Sequence, residues 1–152
     1  MARRRPITTT IPAGDVSAIE AVLTEVIASK SWVNFLPGTA SDLEEHLPTS
    51  GPFSALFGKP VRPFAEISVV VGAAIQIGVN HPLGRLNATV VSDRGLTFPR
   101  EWKLSQNHTR RGLVVTATND PHAIAVWCAR ALVELTLVPA QQEWTIERYD
   151  RP

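Results

Sequence analysis

The chain has 152 residues, of which 44% are hydrophobic and 19% charged, and a formal net charge of +1. These values fit one globular domain with a continuous core and exclude a uniformly electropositive nucleic-acid-binding surface, leaving only local patches for phosphate contact. The single Cys128 forms no internal disulfide, and no run approaches the ~20 apolar residues of a membrane-spanning helix, so a soluble, non-secreted protein with no membrane contact is expected.

Residues 1–12 form a basic, Thr-rich extended arm. Arg3, Arg4 and Arg5 lead into Pro6 and a Thr run, not into the apolar segment of a signal peptide. Ile7-Thr8-Thr9-Thr10-Ile11 is a β-branched run that favours extended backbone. Ile7, Thr9 and Ile11 share one face and can dock on this chain's sheet or on a neighbour's.

Residues 13–152 read as a single α+β domain. Asp15 or Ser17 can cap a helix, Ser17 and Glu20 having capping-box spacing. Val16, Ile19, Leu23, Val26 and Ile27 then recur at helical spacing to about Ser31. From 37 to 63 a long connection is broken repeatedly by Pro37, Gly38, Pro48, Gly51, Pro52, Gly58, Pro60 and Pro63, with room for a short helix over 41–47. Phe53, Leu56 and Phe57 make an apolar knot within it.

From Ile67 to Val79 every odd residue is apolar, a β pattern with one face turned to a core. As one straight strand it would span roughly 43 Å. A domain of this length is only about 40 Å across. The strand must therefore bend, at Gly72 or Gly78, or project as part of a long hairpin. Asn80 to Gly84 has turn chemistry, and Leu86, Ala88 and Val90 alternate in a shorter return strand over 85–92. The unmatched stretch from Glu66 to Ala73 would then accept the Thr-rich arm or another chain.

Trp102 to Ser105 and Leu113 to Thr118 read as two further strands. Asp120 and Pro121 open a helix as N-cap and first helical residue, running to about Val138. Glu143 to Tyr149 adds a last strand. The expected fold is α+β: an antiparallel meander sheet of about four to five strands, two helices packed on one face, and the N-terminal arm.

The sequence offers no strong catalytic constellation. His46, His81, His108 and His122 lack partners at metal-ligand spacing, so no metal or other cofactor is expected. Phosphate-loop, Gly-x-Ser-x-Gly and His-Glu-x-x-His patterns are absent from the sequence. A ligand-binding protein or enzyme would place a pocket between sheet and helices with His81, Asp93 or His108 at its mouth. A nucleic-acid-associated protein would use Arg3, Arg4, Arg5, Arg110 and Arg111, with salt-sensitive binding. Cys128 sits on an apolar helix stripe, and Trp32, Trp102, Trp127 and Trp144 fall on predicted elements where packing explains them.

What remains is geometric: a β-rich arm and a long hairpin. They suit a non-catalytic assembly subunit, a homo-oligomer joined through Ile7, Thr9 and Ile11 of the arm and Ile67, Val69 and Val71 of the strand. The helix Val16 to Ile27, the strands from Ile67 and Arg85, and the strand-to-helix run Gly112 to Val138 follow an order that resembles bacteriophage tail-completion (tail terminator) proteins. That resemblance implies a homo-oligomeric virion protein contacting tail-tube and connector subunits. Without it, a cytoplasmic location is expected.

Overall fold

The computed structural model describes residues 5–45, 63–83, 87–108 and 112–150, the side chains of residues 87, 88, 107, 108 and 112 excepted. The elements, in chain order, are β1 (Ile7–Pro12), α1 (Val16–Ser29), β2 (Trp32–Leu36), α2 (Ala40–Glu44), β3 (Glu66–Val71), β4 (Ile75–Asn80), α3 (Asn87–Asp93), β5 (Lys103–His108), β6 (Gly112–Ala117), α4 (Pro121–Glu134) and β7 (Glu143–Tyr149). The strands form one antiparallel sheet in the order β1-β7-β2-β3-β4-β6-β5. The α+β class is as expected; the sheet has seven strands, not four to five.

The expected long strand is two strands. Residues 72–74 reverse the chain, with the Gly72 N–H donating to the Ala74 carbonyl at 3.0 Å. Val71 then faces Ile75, Val69 faces Ile77 and Ile67 faces Val79. A three-residue turn returns odd residues to the face they left, so the alternation runs through it unbroken. The chain bends at Gly72, one of the two sites named for it, and the bend is a full reversal. Because β2 and β6 flank the pair, the hairpin lies in the middle of the sheet.

β2 was not foreseen. Five residues between a helix end and Pro37 leave little pattern to read, yet this strand joins β7 to β3. The return strand expected over 85–92 is replaced by α3, whose Val91 is fully buried. Gly95, at φ +74°, stops that helix: its N–H bonds the Ser92 carbonyl and the Leu96 N–H bonds the Val91 carbonyl, the paired bonds of a left-handed C-terminal cap. Local β-propensity lost to packing against β5 and β6.

Helices α1 and α4 pack on one another over one sheet face. Asp15, the first of the two cap candidates, accepts the Ala18 N–H at 3.1 Å; Asp120 does the same for Ala123 in α4, with Pro121 opening the helix as expected. Ile19, Leu23 and Val26 of α1 and Ile124, Cys128 and Leu132 of α4 meet Val33, Phe35, Ile67, Val69, Ile77 and Val79 in a continuous core. The opposite sheet face carries Asn34, Ser68, Val70, Gln76 and Thr116, with Trp32 stacked on Tyr149 at 4.3 Å between ring centres. Residues 46–62, including His46, Phe53, Leu56 and Phe57, lie outside the described residues.

Candidate functional site: the β1 edge

The sheet has two edges, and they differ chemically. β5 carries Lys103 and a bulge between Leu104 and Gln106, both of which discourage another strand from pairing there. β1 carries neither. Between Pro6 and Pro12 its side chains are Ile, Thr, Thr, Thr and Ile, every one uncharged and β-branched. One side of this strand is paired with β7, from Ile7 opposite Arg148 to Pro12 opposite Glu143. On the other side its outward N–H and C=O groups face no strand among the described residues.

Ile7, Thr9 and Ile11 share the helix-side face as expected, opposite Arg148, Ile146 and Trp144. Ile11 packs against the core, while Ile7 is 58% exposed. The arm is thus docked on β7 of its own sheet and not along Glu66 to Ala73, because β3 already has strands on both sides. Ile67, Val69 and Val71 are at most 3% exposed and face the helices. Their side chains are spent in this chain's core and offer nothing to a second copy.

Three side-chain contacts involve β7 and the two long helices. Arg148 of β7 donates to Glu25 of α1 and, through Nε, to Asp150 at 2.9 Å. His122, in the first turn of α4, lies 3.0 Å from Glu20 of α1, both side chains being well exposed. On the open sheet face the Tyr149 hydroxyl donates to Glu147 at 3.4 Å. Burial, then the charges of Glu147 and Glu66, push the Tyr149 phenol upward. That negative field is unfavourable for a phosphate backbone beside the Trp32–Tyr149 stack. Of the five arginines expected at a nucleic-acid contact, Arg5 is exposed just before β1; Arg3, Arg4, Arg110 and Arg111 lie outside the described residues.

Of the three residues named for the mouth of a pocket, the side chains of His81 and Asp93 are described. His81 is half-buried and burial lowers its pKa; its Nδ1 accepts the Leu83 N–H at 3.2 Å, which leaves the ring proton to Nε2. That Nε2 has no partner among the described residues. Asp93 is exposed at the end of α3, and the His108 side chain lies outside the described residues. No group of three His, Cys, Asp or Glu residues able to hold a metal occurs among the described residues. None of the described helices is long and apolar enough to cross a membrane.

No family model, curated protein or solved structure matches this chain. Its chemistry therefore rests on its own residues. Phe98, Trp102 and Trp127 cluster with ring centres 5.3–6.3 Å apart, the Trp102 and Trp127 indole N–H groups lacking acceptors among the described residues. This is packing, as expected for those tryptophans, as is the burial of Trp144. Cys128 is fully buried and its thiol is pushed up to about 12 by burial. The unfolded chain ionises first, near ~8.5, so the stability this thiol contributes is complete below that pH and is lost as pH rises toward the folded value. The folded protein should react with Ellman's reagent at about pH 8 only as fast as it opens; immediate reaction without denaturant would contradict this burial.

Proposed function

We propose that the chain is a non-catalytic assembly subunit whose copies join through β1. The observation that carries this is the uncharged, β-branched edge, in contrast to the bulged, lysine-bearing edge at β5. Two copies related by a two-fold axis perpendicular to the sheet would pair β1 antiparallel to itself. Opposed residues then lie on the same face, which requires their numbers to sum to an even value. Greatest overlap without Pro12 centres the axis on Thr9, setting Ile7 against the second copy's Ile11 and Thr8 against its Thr10. The row Ile11–Trp144 on the helix side gains a third apolar member, and the sheet continues across both subunits.

An isologous contact of this kind closes a dimer. A ring of the tail-completion type would need a further, heterologous contact, and the exposed Trp32 and Val70 with the half-buried Tyr149 on the open sheet face supply an apolar surface for it. The fit to a virion role rests on the order of elements alone, from which the strand expected at Arg85 is missing, α3 standing in its place.

The test is native mass by sedimentation over a range of concentrations. The wild-type chain should associate, and Thr8→Lys with Thr10→Lys, two exposed positions, should weaken association roughly tenfold or more by opposing like charges across the axis. Lys103→Ala on β5 should leave it unchanged. A wild-type monomer throughout, or a double variant that associates normally, would sink the proposal.

A further inference from the structure

We propose that the cavity at the C-terminal end of α4 is a binding site for a small, uncharged, apolar molecule. It encloses about 320 Å³ between the turn after β1, the end of β2, the last turn of α4 and the chain leading into β7. Ala13, Pro37, Leu132, Val133, Val138 and Trp144 supply most of its wall. An apolar cavity of ~150 Å³ suffices for benzene. This one has room for roughly a two-ring molecule or a short hydrocarbon chain, and is too small for a helix or a strand.

The wall decides the chemistry. Among the described residues no Asp, Glu, Lys, Arg or His side chain lines the cavity. Thr136 and Gln141 are its polar side chains apart from the Trp144 indole, and both are engaged: Thr136 Oγ1 accepts the Ala65 N–H at 2.9 Å, and Gln141 Nε2 donates to the Pro139 carbonyl at 2.8 Å. A charged ligand would lose its hydration and find no counter-charge, whereas an apolar one gives up nothing that water supplied. Val133, 56% exposed, extends the apolar lining outward to the surface.

The site is also held in shape without a ligand. The Leu137 N–H donates to the Pro63 carbonyl at 2.8 Å and the Ala13 N–H to the Gln142 carbonyl at 2.9 Å. The buried Thr145 hydroxyl donates to the Gly38 carbonyl at 2.7 Å, fixing the chain that follows Pro37. Four connections far apart in sequence are thereby fastened around one space, so binding does not have to order its walls. The proposed β1 pairing sets the second copy's Ile7 beside Ile11, not in this cavity, so the two proposals stand or fall separately.

The experiment is a fluorescence titration of the full chain with N-phenyl-1-naphthylamine, an uncharged dye, beside the anionic 8-anilinonaphthalene-1-sulfonate. One saturable site for the neutral dye is expected, with the sulfonate at least roughly tenfold weaker. Val133→Glu and Ala140→Trp, at two exposed positions of the wall, should each weaken the neutral dye by a similar factor while leaving the thermal midpoint unchanged. Absence of saturable binding, equal affinity for both dyes, or full affinity in both variants would overturn the assignment. Loss of dye binding when subunits associate would give the cavity to a second copy and overturn it equally.

Discussion

Phe35→Ala should destabilise the folded chain by about 3–5 kcal/mol, the cost of a large buried aromatic replaced by a methyl group in a core that relaxes only in part. Phe35 is 1% exposed on β2, opposite Ile146 on one side and Ile67 on the other, at the centre of the helix-covered face. β2 joins β7 and its partner β1 to the rest of the sheet, so a void there weakens both halves. In a chain of this size the loss corresponds to a thermal midpoint lower by roughly 6–20 °C. Trp32→Ala, three residues earlier on the open face, removes a larger side chain but only a half-exposed stack with Tyr149. It should cost about 0.5–1.5 kcal/mol for the aromatic pair, beyond its modest change in burial. Calorimetry on the two variants checks the order: equal losses would mean that β2 does not divide a dry face from a wet one.

How much of this was legible in the sequence depends on how local each cause is. Asp15, Asp120 and Pro121 mark helix starts because capping is settled within four residues, and the structure places both starts there. The last strand was equally plain, since Glu143 to Tyr149 needs only its own alternation and Pro139 before it. β2 is short and borrows its stability from two neighbours distant in sequence, so nothing in Trp32 to Leu36 announces it. For α3 the alternation of Leu86, Ala88 and Val90 pointed the wrong way. The informative residue there was Gly95, which closes a helix. The interface residues divided for a related reason. Ile7, Thr9 and Ile11 and Ile67, Val69 and Val71 have the same spacing, and all six side chains are β-branched. One strand is an edge and the other is central, and pairing order is not written in either segment.

The cavity at the end of α4 was the least legible feature. Its wall gathers residues from 13 to 144, and each is an ordinary small or apolar residue in its own context. Sequence motifs flag sites that use charge, metal or a nucleophile. A site that selects by lacking all three leaves no pattern until the fold brings its walls together.

Inserting a single glycine separates the two accounts of residues 67–79 more sharply than any substitution. Placed between Ala73 and Ala74, it lengthens a three-residue turn to four and leaves every pair from Val71–Ile75 to Ile67–Val79 in register. The cost should stay under about 1 kcal/mol, since loop entropy rises slowly with length. Were these residues one bent strand, the same insertion would rotate Ile75, Ile77 and Val79 out of the core and unfold the chain. Placed between Ile77 and Gly78, the glycine falls inside β4, with strands on both sides. It then turns Val79 away from the core and breaks its pairing with Ile67 and Leu113. Losing a fully buried valine and at least one ladder hydrogen bond on each side should cost about 3–5 kcal/mol. Urea titration of both insertions against the parent chain gives the comparison. A turn insertion as damaging as the strand insertion would remove the hairpin, and with it the central position of β3 that leaves β1 as the strand available to another copy.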